Sequence, residues 1–374
     1  MNNKNDYKTT KLPQQGSIFF DDDEFEPVQQ AKPAEKSSTA SGDEEWRMHF
    51  ASFGSGSSGN CAYIGNEHEG ILVDCGVEPD HVFKELERNG IKMGKIKGIV
   101  LTHDHADHVR YVYKILRKYK NPRICVWCTN RCLNGMLRKH SISNRIKEYH
   151  KAIYHEIPFT LAGMKITAFK QSHDSEDCSG FMIEGGGRKF VISPDQGEIT
   201  SRADFYMRQA QYLMIESNYD RAMLAAGSYP AYLKARVEGD KGHLDNKVTA
   251  RFVADMWNPE LKFVFLNHLS NDNNTPEIAL HETRSALEAK GATVGDASYA
   301  PDQANCDVQL YALPRYDTST WFVLYPSPPL SHYPRRLGKQ TSISQTQNMR
   351  KIIPISHYFS HSFVDYDIYS VYLR

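Results

Sequence analysis

The chain lacks any long hydrophobic run. None of its uninterrupted apolar stretches approaches the ~20 residues that span a bilayer, so no membrane association is expected. It also lacks a charge bias. Its 45 Lys and Arg balance 45 Asp and Glu, so no global polyelectrolyte character points to nucleic acid or to a charged surface. Cysteine is scarce and odd in number, at seven. The opening Met1-Asn2-Asn3-Lys4-Asn5-Asp6 has no apolar segment of the signal-peptide kind. Reduced thiols in a cytoplasmic protein are therefore expected. Repeats of about 20–50 residues are missing too, which excludes solenoids and propellers.

Three regions differ in character. Residues 1–46 are rich in Lys, Gln, Ser, Pro and acid, and read as a disordered tail. An apolar island, Gln15-Gly16-Ser17-Ile18-Phe19-Phe20, interrupts it like a docking peptide. Residues 47–324 have a globular pattern. Residues 325–374 carry Pro-rich punctuation and aromatics without clean periodicity, and read as a C-terminal extension of unknown role.

Within the globular region, short strands are expected at Met48–Phe53, Cys61–Gly65, Ile71–Val73, Ile99–Leu101, Ile124–Trp127 and Met164–Phe169. Phe181–Ile183 and Phe190–Ile192 flank Gly185-Gly186-Gly187 as a hairpin. Tyr212–Ile215, Phe263–Leu266, Val308–Leu313 and Trp321–Leu324 complete the strands. Helices are expected after Pro79, across Val109, Val112, Leu116 and Tyr119, over Lys247–Trp257, and from Thr275-Pro276 to Lys290-Gly291. Many strands with interspersed helices make a layered, mixed domain.

The densest chemistry is Thr102-His103-Asp104-His105-Ala106-Asp107-His108, directly after the apolar Ile99-Val100-Leu101. Burying so many polar groups is costly unless something compensates them. A divalent metal does so, and His with Asp suits zinc, manganese or iron. His103 and His105 alternate and project the same way from an extended loop. Asp107 and His108 are adjacent, diverge, and can reach a second ion. Elsewhere, polar groups recur at strand ends: Asp74 after Ile71-Leu72-Val73, His173 after Ile166–Gln171, Asp195 after Phe190-Val191-Ile192, and His268 after Phe263–Asn267. Strand ends converging on one rim are how a rigid sheet positions a site.

These five motifs, in this order, resemble those of the metallo-β-lactamase-fold hydrolases. Gly54–Asn60 with Cys61, Glu216-Ser217-Asn218-Tyr219-Asp220, Gly239–Asn246 and His268–Glu277 resemble, more narrowly, the YycJ/WalJ (VicX) branch. Tyr219 and Asp245 depart from that pattern, where His and Ser are expected. The resemblance implies an α+β fold, an αββα four-layer sandwich with two divalent ions, Zn²⁺ or Mn²⁺, at one edge. It implies that His103, His105 and His173 hold one ion, that Asp107, His108 and His268 hold the other, and that Asp195 bridges them. Asp74 would accept a bond from a ligand imidazole and fix its tautomer. A hydroxide bridging the ions would attack phosphorus. His243, after Gly242, would protonate the leaving oxygen, with Glu216 orienting it. The implied activity is a 5′→3′ DNA exonuclease of repair or replication.

A solvated polar turn, the plainer reading of the His loop, does not account for the four other motifs. Cys125-x-x-Cys128-x-x-x-Cys132 could form a zinc knuckle, but residues i and i+3 of a strand face opposite ways, and buried reduced thiols are the better reading. The Gly54–Gly59 loop could bind a phosphate, but it lacks the Lys of a P-loop, and a tight strand connection near the site is at least as good a reading. From Arg110 to Lys151 there are twelve Lys or Arg against one Glu, Glu148. That excess suits a phosphate track, with Arg117, Lys118, Arg138, Lys139, Arg145 and Lys147 as contacts. Gln15–Phe20 resembles peptides that dock on the bacterial sliding clamp. Two rival functions are a metal-dependent hydrolase of small esters or thioesters, which would not need the basic stretch, and a non-catalytic regulatory module associated with a two-component signalling system.

Overall fold

The computed structural model describes residues 47–118, 124–297 and 306–324. The expectations for the tail 1–46, its docking peptide 15–20 and the extension 325–374 lie outside the described residues. Strands β1 (Met48–Gly54), β2 (Cys61–Gly65), β3 (Gly70–Val73), β4 (Ile96–Val100), β5 (Cys125–Cys128) and β6 (His150–Ala152) come from the first part of the chain. The second part gives β7 (Phe159–Leu161), β8 (Met164–Gln171), β9 (Cys178–Gly185), β10 (Arg188–Ser193), β11 (Tyr212–Glu216), β12 (Phe263–Asn267), β13 (Val294–Asp296), β14 (Val308–Ala312) and β15 (Phe322–Leu324). They form two sheets, ordered β15-β1-β2-β3-β4-β5-β6 and β13-β14-β12-β11-β10-β9-β8-β7.

Helices α1 (Pro79–Arg88), α2 (Ala106–Val109), α3 (Val112–Lys118) and α4 (Asn130–Lys139) lie along the first sheet, and α5 (Ser201–Met207), α6 (Arg221–Ala226), α7 (Ala231–Glu238), α8 (Asn246–Met256) and α9 (Pro276–Ala289) follow in the second part. The single helix expected across Val109, Val112, Leu116 and Tyr119 is broken at Arg110-Tyr111, because Tyr111 N turns away to bond Cys75 O; Tyr119 lies outside the described residues. Among the described residues no helix is long and apolar enough to cross a membrane.

The layering follows from period-two burial. In β10, β11 and β12, Phe190, Ile192, Tyr212, Met214, Phe263 and Phe265 point into one core. Their neighbours Val191, Leu213, Ile215, Val264 and Leu266 point into another, shared with α5, α8 and α9. Strands apolar on both faces must be covered on both. The shared core between the sheets is centred on Phe50, whose ring lies 4.8 Å from Phe190 and 4.7 Å from Phe265. A third core packs α1, α3 and α4 on the outer face of the first sheet through Leu86, Ile115 and Met136. The order is helix, sheet, sheet, helix, as an αββα sandwich.

Polarity then places the site. β3 and β4 run parallel, as do β10, β11 and β12. β8 and β10 each run antiparallel to β9, so their C-terminal ends share a rim. Every strand-end residue singled out above therefore arrives at the same edge of the sandwich.

Candidate metal centre

Two strand-end residues take up left-handed backbone: Asp74 at φ +60° and His268 at φ +55°. Such conformations cost on the order of 1 kcal/mol for a residue with a Cβ, and persist where surrounding bonds fix them. The bonds are present. Asp74 Oδ1 accepts from Thr102 N at 2.9 Å, and Oδ2 accepts from Thr102 Oγ1 and His108 Nδ1, each at 2.8 Å. His268 N donates to Ser55 Oγ at 3.0 Å. The His loop also needs Gly76, where a Cβ would fall 1.5 Å from Asp107 O, and Gly135, where one would fall 2.3 Å from Asp104 Oδ2.

The loop, with its partners, brings the seven sequence-selected donors into two groups. His103, His105 and His173 form one; Asp107, His108, Asp195 and His268 form the other, with one donor atom per residue within 4.8 Å of its group mates. In the first group, His173 Nδ1 donates to Gly242 O at 3.0 Å, and His103 Nδ1 lies 3.0 Å from Thr102 Oγ1. Both rings therefore turn Nε2 inward. In the second group Asp74 does the same for His108. Asp195 Oδ2 lies between the groups, 3.5 Å from His268 Nε2, 3.6 Å from His108 Nε2, 3.7 Å from His173 Nε2 and 4.0 Å from His103 Nε2. Asp107 Oδ2 is 3.5 Å from His268 Nε2.

Electrostatics follow from crowding carboxylates and imidazoles out of water. Burial holds the His103 and His105 pKa values below the usual imidazole range and takes His173 down to about 4. Burial alone would lower His268 as well, but Asp195, with the nearby Asp107 carboxylate and the bond to Glu216, carries it up to about 10. His108 is raised in the same way, burial being outweighed first by Asp74. Burial would raise Asp195, yet the neighbouring imidazoles, His268 foremost, push it below the usual carboxylate range.

A divalent ion fits this arrangement on three observations. Ligands bound ~2.0–2.2 Å from one ion lie roughly 3–3.6 Å apart, which matches the closer spacings around Asp195 and Asp107. His103 Nε2, His268 Nε2 and Asp195 Oδ1 are buried without a hydrogen-bond partner, a costly state for polar atoms unless something else satisfies them. And the raised pKa values of His108 and His268 put protons where a cation would balance the carboxylates.

Glu216 and His243 adjoin the second group. Glu216 Oε1 accepts from His243 Nδ1 at 2.7 Å and from His268 Nδ1 at 3.0 Å; Oε2 accepts from the amides of Gln196 and Leu244. His243 is only partly covered, and its ring lies 5.2 Å from those of both His173 and His268. Thus one buried carboxylate orients both a loop histidine and a candidate ligand.

Several contributors were given no role by the sequence reading, although Asn60 and Asn218 lie in the motifs quoted for the resemblance. Asn60 Nδ2 lies 3.2 Å from Asp107 Oδ2 and 3.0 Å from His108 Nε2. Asn218 Nδ2 donates to His268 O at 2.7 Å. Asp174 Oδ1 lies 3.4 Å from His105 Nε2, while Oδ2 accepts from Arg236 of α7 at 2.6 Å. Its place right after His173 was the available signal.

The basic stretch is less free than its composition suggests. Lys118 pairs with Asp80, Arg138 with Glu176, Lys139 with Asp104 and Arg145 with Glu148. Arg117 lies over the Tyr113 ring. Through Asp104, Lys139 braces the His loop itself. The thiols described are unpaired, with Cys128 and Cys132 buried and Cys125 half-buried.

Comparison with known proteins gives the family. The β-lactamase superfamily domain model matches residues 70–265. A solved structure, the metallo-β-lactamase fold protein YhfI from Bacillus subtilis, superposes with a TM-score of 0.53 at 14% identity, covering 73% of this chain and 99% of that one. The chain belongs to the metallo-β-lactamase superfamily of metal-dependent hydrolases. Within it, the similarity is to the YycJ/WalJ branch: 33% identity over 254 residues to exodeoxyribonuclease YycJ of Bacillus anthracis, covering 67% of this chain and 93% of that relative. Exodeoxyribonuclease WalJ of Streptococcus pneumoniae is 28% identical over 233 residues, covering 62% and 84%.

Proposed function

We propose that this protein is a dinuclear phosphodiesterase that removes nucleotides from DNA in the 5′→3′ direction, in repair or replication. The observation that carries the reading is the placement of Asp195 Oδ2 between two groups of imidazoles. Two ions close together need a shared anion, and this carboxylate is the one both groups reach. His103, His105 and His173 would hold one ion, and Asp107, His108 and His268 the other. Zn²⁺ or Mn²⁺ would there supply a water nucleophile active near neutral pH and charge neutralisation for phosphoryl oxygens.

The chain's own residues do the rest. Asp74, through Nδ1 of His108, fixes which nitrogen faces the site. Glu216 holds the His243 ring by Nδ1, which leaves Nε2 to give a proton to the departing 3′ oxygen. Arg117, Lys118, Arg138, Lys139, Arg145 and Lys147 add positive potential beside the His loop, four of them from within ion pairs. The choice of DNA rests on the exodeoxyribonuclease relatives, and the 5′→3′ polarity on the resemblance to the YycJ/WalJ branch. Unpaired thiols fit a reducing, cytoplasmic setting.

Incubating the full chain with Mn²⁺ and duplex DNA labelled at either end tests this. Early release of the 5′ label as mononucleotide is expected. Thioester cleavage without nucleotide release would overturn it. We also propose that residues 1–46 form a tether whose 15–20 peptide docks on the sliding clamp. Titrating the clamp with residues 1–30 should give binding that Ile18→Ala with Phe19→Ala removes; unchanged binding contradicts it.

A further inference from the structure

A cleft of about 210 Å³ lies beside the Gly54–Asn60 loop, lined among others by Ser58, Gly59, Arg110, Tyr111, Arg315 and Tyr316. Its walls are tied to the metal centre from two sides. Arg110 and Tyr111 follow His108 directly, and Arg110 N and Tyr111 N bond back to Ala106 O and Cys75 O. On the other side Arg315 Nη1 donates to Leu269 O at 2.6 Å, next to His268, and Arg315 O accepts from Ser55 N at 3.3 Å. The cleft therefore adjoins the Asp107–His268 half of the centre.

Its chemistry differs from that of the paired basic stretch. Arg110 is exposed and has no carboxylate partner among the described residues. Glu78 also lines the cleft, but Lys114 engages it. Tyr316 is 63% exposed, a high value for so large a ring, and the Arg315 guanidinium sits 5.5 Å from its centroid. Arg315 Nε is buried without a hydrogen-bond partner. An unpaired guanidinium, two tyrosines and a Gly-Ser loop in one concavity form a surface for a phosphate and a flat ring together.

We infer that this cleft is a nucleotide subsite, in which Arg110 meets a backbone phosphate of a DNA strand and Tyr111 and Tyr316 stack against a base. The assignment rests on the nuclease reading, and it places one nucleotide of the strand next to the Asp107–His268 position. Stacking on an aromatic ring is sequence-tolerant, so the subsite would grip any base.

The test is fluorescence anisotropy of the full chain with a labelled single-stranded oligonucleotide, without added metal, beside the Mn²⁺ nuclease assay. Tyr316→Ala and Arg110→Ala should each weaken binding about 5- to 100-fold, with unchanged melting temperature. Phe205→Ala, an exposed aromatic on α5, should leave binding as it was. Equal dissociation constants for wild type, Tyr316→Ala and Arg110→Ala overturn the subsite while nucleotide release by wild type upholds the nuclease. Wild type that binds, with both variants weakened, but releases no nucleotide overturns the nuclease reading and leaves the subsite standing. Wild type that does not bind the strand overturns the subsite.

Discussion

His243 Nδ1 lies 2.7 Å from Glu216 Oε1, and the same oxygen is 3.0 Å from His268 Nδ1. The histidine proposed to move a proton and the one proposed to hold an ion thus hang on one carboxylate. Removing Glu216 would disturb both, so the residues have to be separated through His243.

His243→Ala should lower DNA cleavage by about 10²–10⁴-fold, the usual contribution of a positioned acid. Hydrolysis of bis(p-nitrophenyl) phosphate should fall far less, because its leaving group departs without a proton. Steady-state kinetics on both substrates, with metal content measured alongside, checks this. Equal loss on both, or loss of an ion, would make His243 a ligand instead.

Asp74→Ala should weaken metal binding by about 10–100-fold, the range found when an outer carboxylate behind a ligand histidine is lost. It also leaves Thr102 N–H buried without an acceptor, worth about 1–3 kcal/mol of stability. Competition titration against a chelating indicator and urea denaturation read the two effects. Unchanged affinity would show that the Asp74–His108 bond does not orient the ligand.

In the metal-free protein, His268 has a pKa near 10 against an ordinary 6.5. A raised pKa means its proton stabilises the fold fully below pH 6.5 and progressively less as pH rises towards 10. Asp195 is depressed, so its contribution is present above the ordinary carboxylate range and lost in acid. Burial depresses His103, His105 and His173, so protonating them costs stability below about pH 6.5; metal-free protein should therefore be most stable near neutrality and lose on the order of a few kcal/mol on going to pH 10. Bound ions replace those protons, so zinc should raise the melting temperature most at alkaline pH. Melting curves from pH 5 to 10 in chelator and in zinc would show it. A gap that narrows with rising pH contradicts it.

Much of this was legible in the chain because period-two strands carry their own ends. Once Phe190-Val191-Ile192 and Phe263–Leu266 read as strands, Asp195 and His268 were expected at a rim. The αββα order was legible from the family motifs and was not written in any one segment. What escaped was whatever depends on distant packing. Asp174 acquires its place through Arg236, 62 residues on. The basic stretch showed its sign, but not that Glu176 and Asp104 would take up Arg138 and Lys139. The short α5–α7 helices and the edge strands β6, β7 and β13 give too few residues for a period to register. Arg315 and Tyr316 meet the Gly54–Asn60 loop only because β15 returns to the edge of β1.

The central claim is that Asp195 joins two ions. Elemental analysis of the full chain, reconstituted with Mn²⁺ or Zn²⁺ and dialysed, measures it most directly. Two ions per wild-type chain, falling to one or none in Asp195→Ala, is the predicted result. One ion per wild-type chain, or two retained by Asp195→Ala, would contradict it.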